Sequence, residues 1–190
     1  MWDMGRWEPN ARGRLARAAL VLSAEKGYEA TTVAEIAAAA GVTERTFYRY
    51  FPDKADALFP DSTQLLAHLA GVVTESVNDG HDAREATLAA LQELATVVTE
   101  EPERALLGAQ VIPAVPTLAG RHLVRQYEIA DAISRALVEA GAAPLEAELA
   151  AEGALGVWRV ALGQWVREPG RPLSEVLTAT AEAAQRLRRG

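Results

Sequence analysis

The stretch that decides the fold is TVAEIAAAAGVTERTFYRYFPDK, residues 32–54. Its first half places Val33 and Ile36 on one face at helical spacing, so this segment is predicted to be a helix that leans on a core. Gly41 ends that helix, because glycine adopts the left-handed turn conformation without steric cost. A second short helix begins at Thr43. Together these features predict a helix-turn-helix.

The helix-turn-helix spans about residues 33–51. Its second helix has two faces. Phe47 points towards the core, whereas Arg45, Tyr48 and Arg49 share a different face that a DNA groove can meet. Binding to duplex DNA is the interpretation that this pattern favours. The alternative is that the two arginines only solvate a helix surface.

The charge distribution does not exclude DNA, although the formal net charge of the chain is −7. Residues 1–56 hold eight basic and eight acidic residues, so the whole surplus of acid lies in residues 57–190. Phosphate affinity depends on the few cations that touch the backbone of the nucleic acid. A neutral N-terminal region with well-placed arginines can therefore bind DNA.

The rest of the chain is predicted to be helical, because sustained period-two alternation is absent and alanine and leucine dominate long stretches. Capping boxes are expected at Thr32 with Glu35 and at Asp82 with Glu85. Pro60 predicts a break in a fourth helix. The segment IPAVPTLAG, residues 112–120, is predicted to be a loop. The fold class is all-α with about nine helices.

Apolar stripes mark the last two predicted helices, and two interpretations are open for them. One is ordinary core. The other is a homodimer through a four-helix bundle, which nearby glycines would allow to pack closely. The residues assigned to the dimer interface are Leu155, Leu162, Trp165, Leu173, Val176, Leu177, Thr180 and Ala184.

Other kinds of chemistry find little support in the sequence. Cysteine is absent, the three histidines lack metal-ligand spacing, and no nucleophile elbow, P-loop or dinucleotide motif occurs. The chain is therefore predicted not to be an enzyme and to need no cofactor or metal. No apolar run would span a bilayer and the first ten residues do not resemble a signal peptide, so we expect a cytoplasmic protein without a membrane partner.

The order GYEATTVAEIAAAAGVTERTFYRYFPDKADAL, residues 27–58, resembles the tetracycline-repressor (TetR) family of transcription regulators. The resemblance covers about residues 10–58. It implies a DNA-binding headpiece at residues 1–56 and a ligand-binding and dimerisation domain at residues 57–190. It also implies a palindromic operator and a small-molecule effector that releases the DNA.

Carried over by position, the resemblance implies contacts with base edges or phosphates. Arg45 is the preferred base contact, because a guanidinium can bond both major-groove acceptors of guanine. Glu44 has two open roles, accepting from cytosine or supporting the N-terminus of its helix. Arg6, Arg12 and Arg14 either reach the DNA or form a solvated arm. The implied contact residues are Thr32, Thr43, Glu44, Arg45, Thr46, Tyr48, Arg49 and Lys54.

The family also implies an effector cavity between the middle helices. The candidates to line it can equally be plain core, and their mixture of aliphatic, aromatic and neutral polar groups suits a mainly apolar effector. These candidates are Leu66, Leu69, Leu91, Leu94, Gln110, Gln126, Tyr127 and Trp158.

These patterns together predict a homodimeric repressor that an effector releases from its operator. Two alternatives are a DNA-binding regulator that has no small-molecule effector and acts through a protein partner, and a helical interaction protein that has lost DNA binding.

Overall fold

The computed structural model of the chain describes residues 11–59 and 62–189. This part of the chain forms nine α-helices and one 3-10 turn, Asp56–Leu58, and contains no strand, which confirms the predicted fold class. The helices are α1 (Ala11–Lys26), α2 (Val33–Ala39), α3 (Glu44–Tyr50), α4 (Thr63–Asn78), α5 (Ala83–Glu100), α6 (Pro102–Ala114), α7 (Pro116–Glu139), α8 (Pro144–Arg167) and α9 (Leu173–Arg189).

Two compact units divide the chain. The first unites the N-terminal region up to residue 60 with residues 106–119, and the second contains residues 61–105 and 120–190. The predicted headpiece ended at residue 56 and did not include the later segment. By packing, most of α6 and the start of α7 are therefore part of the first unit.

The first unit is held together by side chains from α1, α2 and α3. Leu15, Ile36 and Phe47 have no exposed surface, and Ala19 beside them is equally buried. Complete burial of a large apolar side chain contributes about 1.5 to 3 kcal/mol relative to exposure. The apolar face predicted for the helix-turn-helix is thus what fixes α2 and α3 on α1.

The turn between α2 and α3 has the geometry that its glycine predicts. Gly41 has φ +69°, in the left-handed region. The N–H of Gly41 donates to the carbonyl of Ala38 at 3.1 Å and that of Val42 donates to the carbonyl of Ala37 at 2.9 Å. This pair of bonds satisfies carbonyls that the end of α2 would otherwise leave without a partner.

The segment predicted as a loop, residues 112–120, is helical instead. Pro113 lies in the last turn of α6 and Pro116 is the first residue of α7, so Val115 alone separates the two helices. A proline at the first helical position loses no intrahelical hydrogen bond, which explains why Pro116 begins a helix. Leu118 is buried in the core of the first unit.

The predicted break in the fourth helix lies at Pro60, outside the described residues. On its two sides the chain forms the Asp56–Leu58 turn and then α4, as separate elements. The amide of Asp56, the first residue of that turn, donates to Oδ1 of Asp53 at 2.9 Å.

The second unit packs α4 on α5, α5 on α8 and α9, and α8 on α9. Its core contains Leu69 of α4, Leu91 of α5, Trp158 of α8 and Leu177 of α9. The capping box predicted at the start of α5 is present, with Asp82 and Glu85 bonded reciprocally. Among the described residues, no helix is both long enough and apolar enough to cross a membrane.

Candidate nucleic-acid interface

Helix α3 has a polar face that is exposed to solvent and an apolar side chain that is buried in the core. Phe47 is fully buried, and its ring meets the ring of Tyr48 edge-on with centroids 5.5 Å apart. Tyr48 is 56% exposed, and Arg45 and Arg49 on the same face are also exposed. The buried phenylalanine therefore holds a face of cationic and hydroxyl-bearing side chains outward.

The N-terminus of α3 is capped by its own threonines. Oγ1 of Thr43 accepts from the backbone N–H of Thr46 at 3.3 Å, and the two hydroxyls lie 3.1 Å apart. Glu44 is exposed in the first turn, where its charge suits the positive end of the helix dipole. The structure thus supports a helix-stabilising role for all three residues and leaves their outer atoms on the surface.

The two arginines of α3 differ in their surroundings. Nη2 of Arg49 donates to the Tyr50 hydroxyl at 3.4 Å, and its guanidinium lies 5.0 Å from the centroid of the Tyr50 ring. Arg45 makes no hydrogen bond or ion pair with any residue that the structure describes. The Arg45 side chain is exposed on the polar face of α3.

Thr32, which was predicted to combine helix capping with a phosphate contact, forms the predicted capping box with Glu35. Its N–H and its hydroxyl both donate to Oε2 of Glu35, at 2.9 and 2.7 Å, while its Oγ1 accepts from the amide of Glu35. Lys26 forms an ion pair with the same carboxylate. Hydrogen bonds from Lys26 and Thr32 lower the pKa of Glu35 from 4.5 to about 2. The start of α2 therefore already holds an anion.

Lys54, which like Tyr48 was predicted to hold a phosphate, is half-buried and bonded within the protein. Its Nζ donates to the carbonyls of Tyr28 and Thr31 at 2.6 and 2.8 Å. The sequence offered no signal for this contact, because the partners are backbone atoms more than twenty positions away.

The arginines of α1 also contact the first unit. Nε of Arg14 donates to the carbonyl of Ala40 at 3.1 Å, and the guanidinium of Arg12 lies 5.5 Å from the centroid of the Phe51 ring. Both side chains thus help to hold α1 against the helix-turn-helix. Arg6 lies outside the described residues.

The residues predicted to line an effector cavity differ in their burial. Leu69, Leu91, Leu94 and Trp158 are buried, Leu66 and Gln126 are half-buried, and Gln110 and Tyr127 are exposed. A cavity of about 450 Å³ lies between α5, α8 and α9, and of the eight candidates Leu91 alone borders it. Ala150, Ala154 and Ala181 line it because their side chains are too small to fill it.

Five of the eight residues predicted for the dimer interface lie in the core of a single protomer. A side chain that its own chain covers offers little surface to a partner. These five residues are Leu155, Trp165, Leu173, Val176 and Leu177. Leu162, Thr180 and Ala184 are half-buried.

Comparison with known proteins places the helix-turn-helix in a family. Residues 15–59 match the model of a family described as bacterial regulatory proteins of the TetR family. An uncharacterized HTH-type transcriptional regulator of Mycobacterium bovis is 37% identical over 86 residues, which are 45% of this chain and 43% of the relative. The nucleoid occlusion factor SlmA of Pasteurella multocida is 42% identical over 64 residues, 33% of this chain and 32% of that protein. The chain thus spans less than half the length of the curated relatives it matches.

Solved structures share the fold across both units. FadR of Thermus thermophilus, a TetR-family transcriptional repressor solved in complex with lauroyl-CoA, is 25% identical and has a TM-score of 0.56; the match covers 92% of this chain and 93% of that one. FadR of Bacillus halodurans, a fatty acid degradation regulator, is 19% identical with a TM-score of 0.66, and the match covers 94% and 96%. The family, the mycobacterial relative and both FadR proteins are described as regulators, in agreement with the prediction that the chain is not an enzyme. The helix-turn-helix region of the chain, residues 15–59, is thus similar to that of bacterial regulatory proteins of the TetR family.

Proposed function

We propose that this protein is a sequence-specific DNA-binding transcription regulator that acts as a homodimer. In this proposal α3 of each protomer enters the major groove of one half of a palindrome, with half-sites about one helical turn (roughly 34 Å) apart. The observation that carries it is the exposed Arg45, which has no partner among the described residues and shares a helix face with Tyr48 and Arg49.

The chemistry of that face suits a major groove. The planar guanidinium of Arg45 can donate to both O6 and N7 of a guanine, and a good bidentate contact of this kind discriminates by about 1 to 3 kcal/mol. The hydroxyl of Tyr48 and the guanidinium of Arg49 suit phosphate oxygens. Because residues 1–56 carry no net charge, the affinity for DNA would depend on the positions of the Arg45, Tyr48 and Arg49 side chains.

A second copy fits the outward face of α8. Opposite the buried tryptophans, this helix exposes Leu149 and Val160, at 64% and 53%, and between them lies a row of glycines. A Cβ added at Gly153 or Gly156 would meet nothing within 4 Å in one protomer, so another helix backbone can approach there. We define the α8 face as Leu149, Glu152, Gly153, Gly156, Arg159, Val160 and Gly163, of which Leu149 and Gly153 also border the cavity between α5, α8 and α9.

The charges along this face favour an antiparallel partner. Glu146, Glu148 and Glu152 lie in the N-terminal half of α8, and Arg159 and Arg167 lie in the C-terminal half. When two copies cross near Gly156 around a twofold axis, Glu152 comes beside the partner's Arg159, and the reverse contact forms by symmetry. Complementary charge and small residues together support the homodimer on a different face from the one predicted.

The proposal extends to release of the DNA by a small, mainly apolar effector. The cavity between α5, α8 and α9 offers an apolar floor with Leu88 and Leu91, while Asp82, Arg84 and Glu146 stand among its lining. FadR of Thermus thermophilus was solved with lauroyl-CoA, which makes acyl chains a rational first class to test. Two carboxylates against one guanidinium disfavour a polyanionic headgroup, so an uncharged apolar compound fits this lining better.

A regulator without a small-molecule effector is the second candidate. The observation that favours it is that seven of the eight residues predicted to line a cavity do not border the one described above. A thermal-shift screen with uncharged apolar compounds and with lauroyl-CoA distinguishes a regulator that has a small-molecule effector from one that has none. Concentration-dependent stabilisation accompanied by release of bound DNA supports the effector, whereas an unchanged melting temperature throughout favours the protein partner.

DNA binding is tested by selecting bound fragments from genomic DNA and measuring affinity for the best one by gel shift. Arg45→Ala combined with Tyr48→Phe is expected to weaken binding by at least about tenfold. Arg135→Gln is the control, because it removes one exposed arginine from α7. Equal affinity of the double variant and the wild type would show that α3 is not the reading helix.

A further inference from the structure

We propose that the cavity between α5, α8 and α9 is a ligand site that the second copy completes, so that an uncharged apolar ligand and the dimer stabilise each other. The inference rests on the proposed homodimer and deepens the proposed effector, because it states which surfaces of two copies enclose the compound. A regulator of this kind associates more tightly when its ligand is bound.

The cavity and the α8 face share two residues. Leu149 and Gly153 line the cavity and also belong to the face that meets the second copy. Leu149 is 64% exposed, and a Cβ added at Gly153 would meet nothing within 4 Å. A compound in the cavity of a single protomer would therefore be open to water along this rim. A partner helix that covers the α8 face covers the rim as well.

The antiparallel arrangement places an apolar side chain of the second copy beside that rim. When Glu152 lies beside the partner's Arg159, Leu149 lies beside the partner's Leu162, because each is three residues further along its helix in the opposite direction. Residues three apart share one side of a helix, about 4.5 Å apart along its axis, so both contacts form on one face. Leu162 is half-buried within its own protomer, which leaves part of its surface for this contact.

The interior of the cavity is apolar, and small side chains leave it open. Leu91 and Ala154 are buried, with 1% and 8% of their surface exposed, and Leu88 and Val157 are half-buried in the same lining. The volume of about 450 Å³ lies within the range of about 300 to 1,000 Å³ that is typical of small-ligand sites. Apolar compounds gain most from such a lining, because both surfaces leave water on binding.

The polar groups at the start of α5 bond to one another. Oδ1 of Asp82 accepts from the amide of Glu85 at 2.8 Å, and Oε2 of Glu85 accepts from the amide of Asp82 at 3.1 Å. Nη2 of Arg84 lies 3.5 Å from Oε1 of Glu85. The guanidinium therefore offers an anion no unopposed positive charge. An uncharged ligand with a single polar group fits better, and the amide of Gln185 in the lining can bond that group.

A ligand that contacts both copies makes ligand affinity and association interdependent. If it binds the dimer more tightly than the monomer, it must stabilise the dimer by the same factor at each site. When the second copy tightens each site about tenfold, a saturating ligand lowers the dimer dissociation constant about a hundredfold, because a dimer holds two such sites.

The probe is n-decanol, an uncharged chain with one hydroxyl, added to the full-length protein. Fluorescence-detected sedimentation of the labelled chain gives the dimer dissociation constant with and without the alcohol. Ala154→Leu fills the cavity from a buried position, and Ala150→Leu fills it from a half-buried one should the first variant not fold. Ala67→Leu is the control, because Ala67 is exposed on α4 and lies outside the lining.

We expect n-decanol to lower the dissociation constant of the wild type and of Ala67→Leu about a hundredfold. The filled variants should stay within about twofold of their values without the alcohol. An equal shift in the filled variants would mean that the alcohol binds elsewhere, and it would overturn the proposal. The absence of a shift in the wild type would overturn it too.

Calorimetric titration of Arg159→Glu, which weakens the proposed pair, isolates the contribution of the second copy. At a concentration where this variant is monomeric it should bind n-decanol about tenfold more weakly than the wild-type dimer. Equal affinities would show that the second copy adds nothing to the site. A wild type that stays monomeric with and without the alcohol contradicts the proposed homodimer, and this inference with it. A dimer that does not respond to the alcohol contradicts this inference alone.

Discussion

Val42 donates its backbone N–H to the carbonyl oxygen of Ala37 across 2.9 Å, and this bond closes the turn that separates α2 from α3. The bond requires the intervening residue to adopt a left-handed conformation, which Gly41 supplies with φ +69°. The angle between the supporting helix and the reading helix thus depends on a backbone conformation that side chains disfavour.

Gly41→Ala is expected to lower the free energy of unfolding by about 1 kcal/mol, because a Cβ is strained at positive φ even where, as here, open space surrounds it. Urea unfolding followed by circular dichroism measures the change. Gly71→Ala is the matched control: Gly71 is exposed within α4, so the same substitution should stabilise by roughly 0.5 to 1 kcal/mol. Equal effects at the two glycines would contradict the role of the turn.

Glu35 is expected to make the stability of the first unit depend on acid pH. Lys26 and Thr32 lower its folded pKa to about 2 from an ordinary value of 4.5, so its contribution is complete above pH 4.5 and is lost as pH falls towards about 2. Glu35→Gln should therefore be less stable than wild type at neutral pH, and the gap should close on acidification. Thermal melts across this range provide the measurement.

The exposed Glu128 of α7 offers a control for that experiment. Glu128→Gln removes the same charge without touching the cap of α2. A difference between Glu35→Gln and wild type that is constant from neutral pH to pH 2 would mean that the carboxylate does not act through its ionised form.

His122 predicts a pH dependence in the second unit. Burial, and secondarily the charge of Arg125, lower its pKa below 6.5. His122 therefore binds a proton more readily in the unfolded chain than in the folded chain. The native state consequently loses stability as pH falls through 6.5. His122→Gln should remove this loss between about pH 7.5 and about pH 5.5, measured by urea unfolding.

Exposed His81 gives the comparison, since His81→Gln deletes a histidine from the surface. The prediction fails if the two variants and the wild type lose the same stability over that interval. Gln126 lies with its Nε2 3.0 Å from Nε2 of His122, so the amide donates to a neutral ring, consistent with the direction of the pKa shift.

The α8 face predicts a charge-reversal experiment. Glu152→Arg or Arg159→Glu alone should raise the dimer dissociation constant about tenfold, because like charges then meet twice around the twofold axis. The double variant should restore association, since it re-forms both pairs with exchanged signs. Sedimentation at several protein concentrations measures this.

A parallel arrangement or another interface would give a different pattern, in which the double variant is no better than the single ones. Val160→Glu tests the same face by steric and desolvation effects and should also weaken the dimer. Leu123→Glu places a carboxylate at a comparably exposed apolar position on α7 and should leave association unchanged.

Local features were predictable because their chemistry is complete within a few residues. The capping boxes of Thr32 with Glu35 and of Asp82 with Glu85 need only a hydroxyl or carboxylate and a partner three positions later. The loop predicted at residues 112–120 was wrong because of Pro113 and Pro116, which lie within α6 and at the start of α7. A proline can end one helix or begin the next, and the packing of the flanking apolar residues decides which.

Periodicity alone does not assign a surface to the core or to a partner. Trp165 and Leu177 lie at the spacing of an apolar stripe, which indicates that they are buried. The spacing does not say whether helices of the same chain or of a second copy bury them. In the structure α5, α8 and α9 cover one another. Gly153, Gly156 and Gly163 lie on the outward side of α8.

The sequence by itself determined the helix-turn-helix, its caps, its left-handed turn and the outward placement of Arg45, because each follows from bonds within one or two helical turns. Only the tertiary structure decided the environment of Lys54 and the open face of α8. Both depend on atoms brought together across long separations in the chain, where no spacing rule states which backbone carbonyl or which helix comes near.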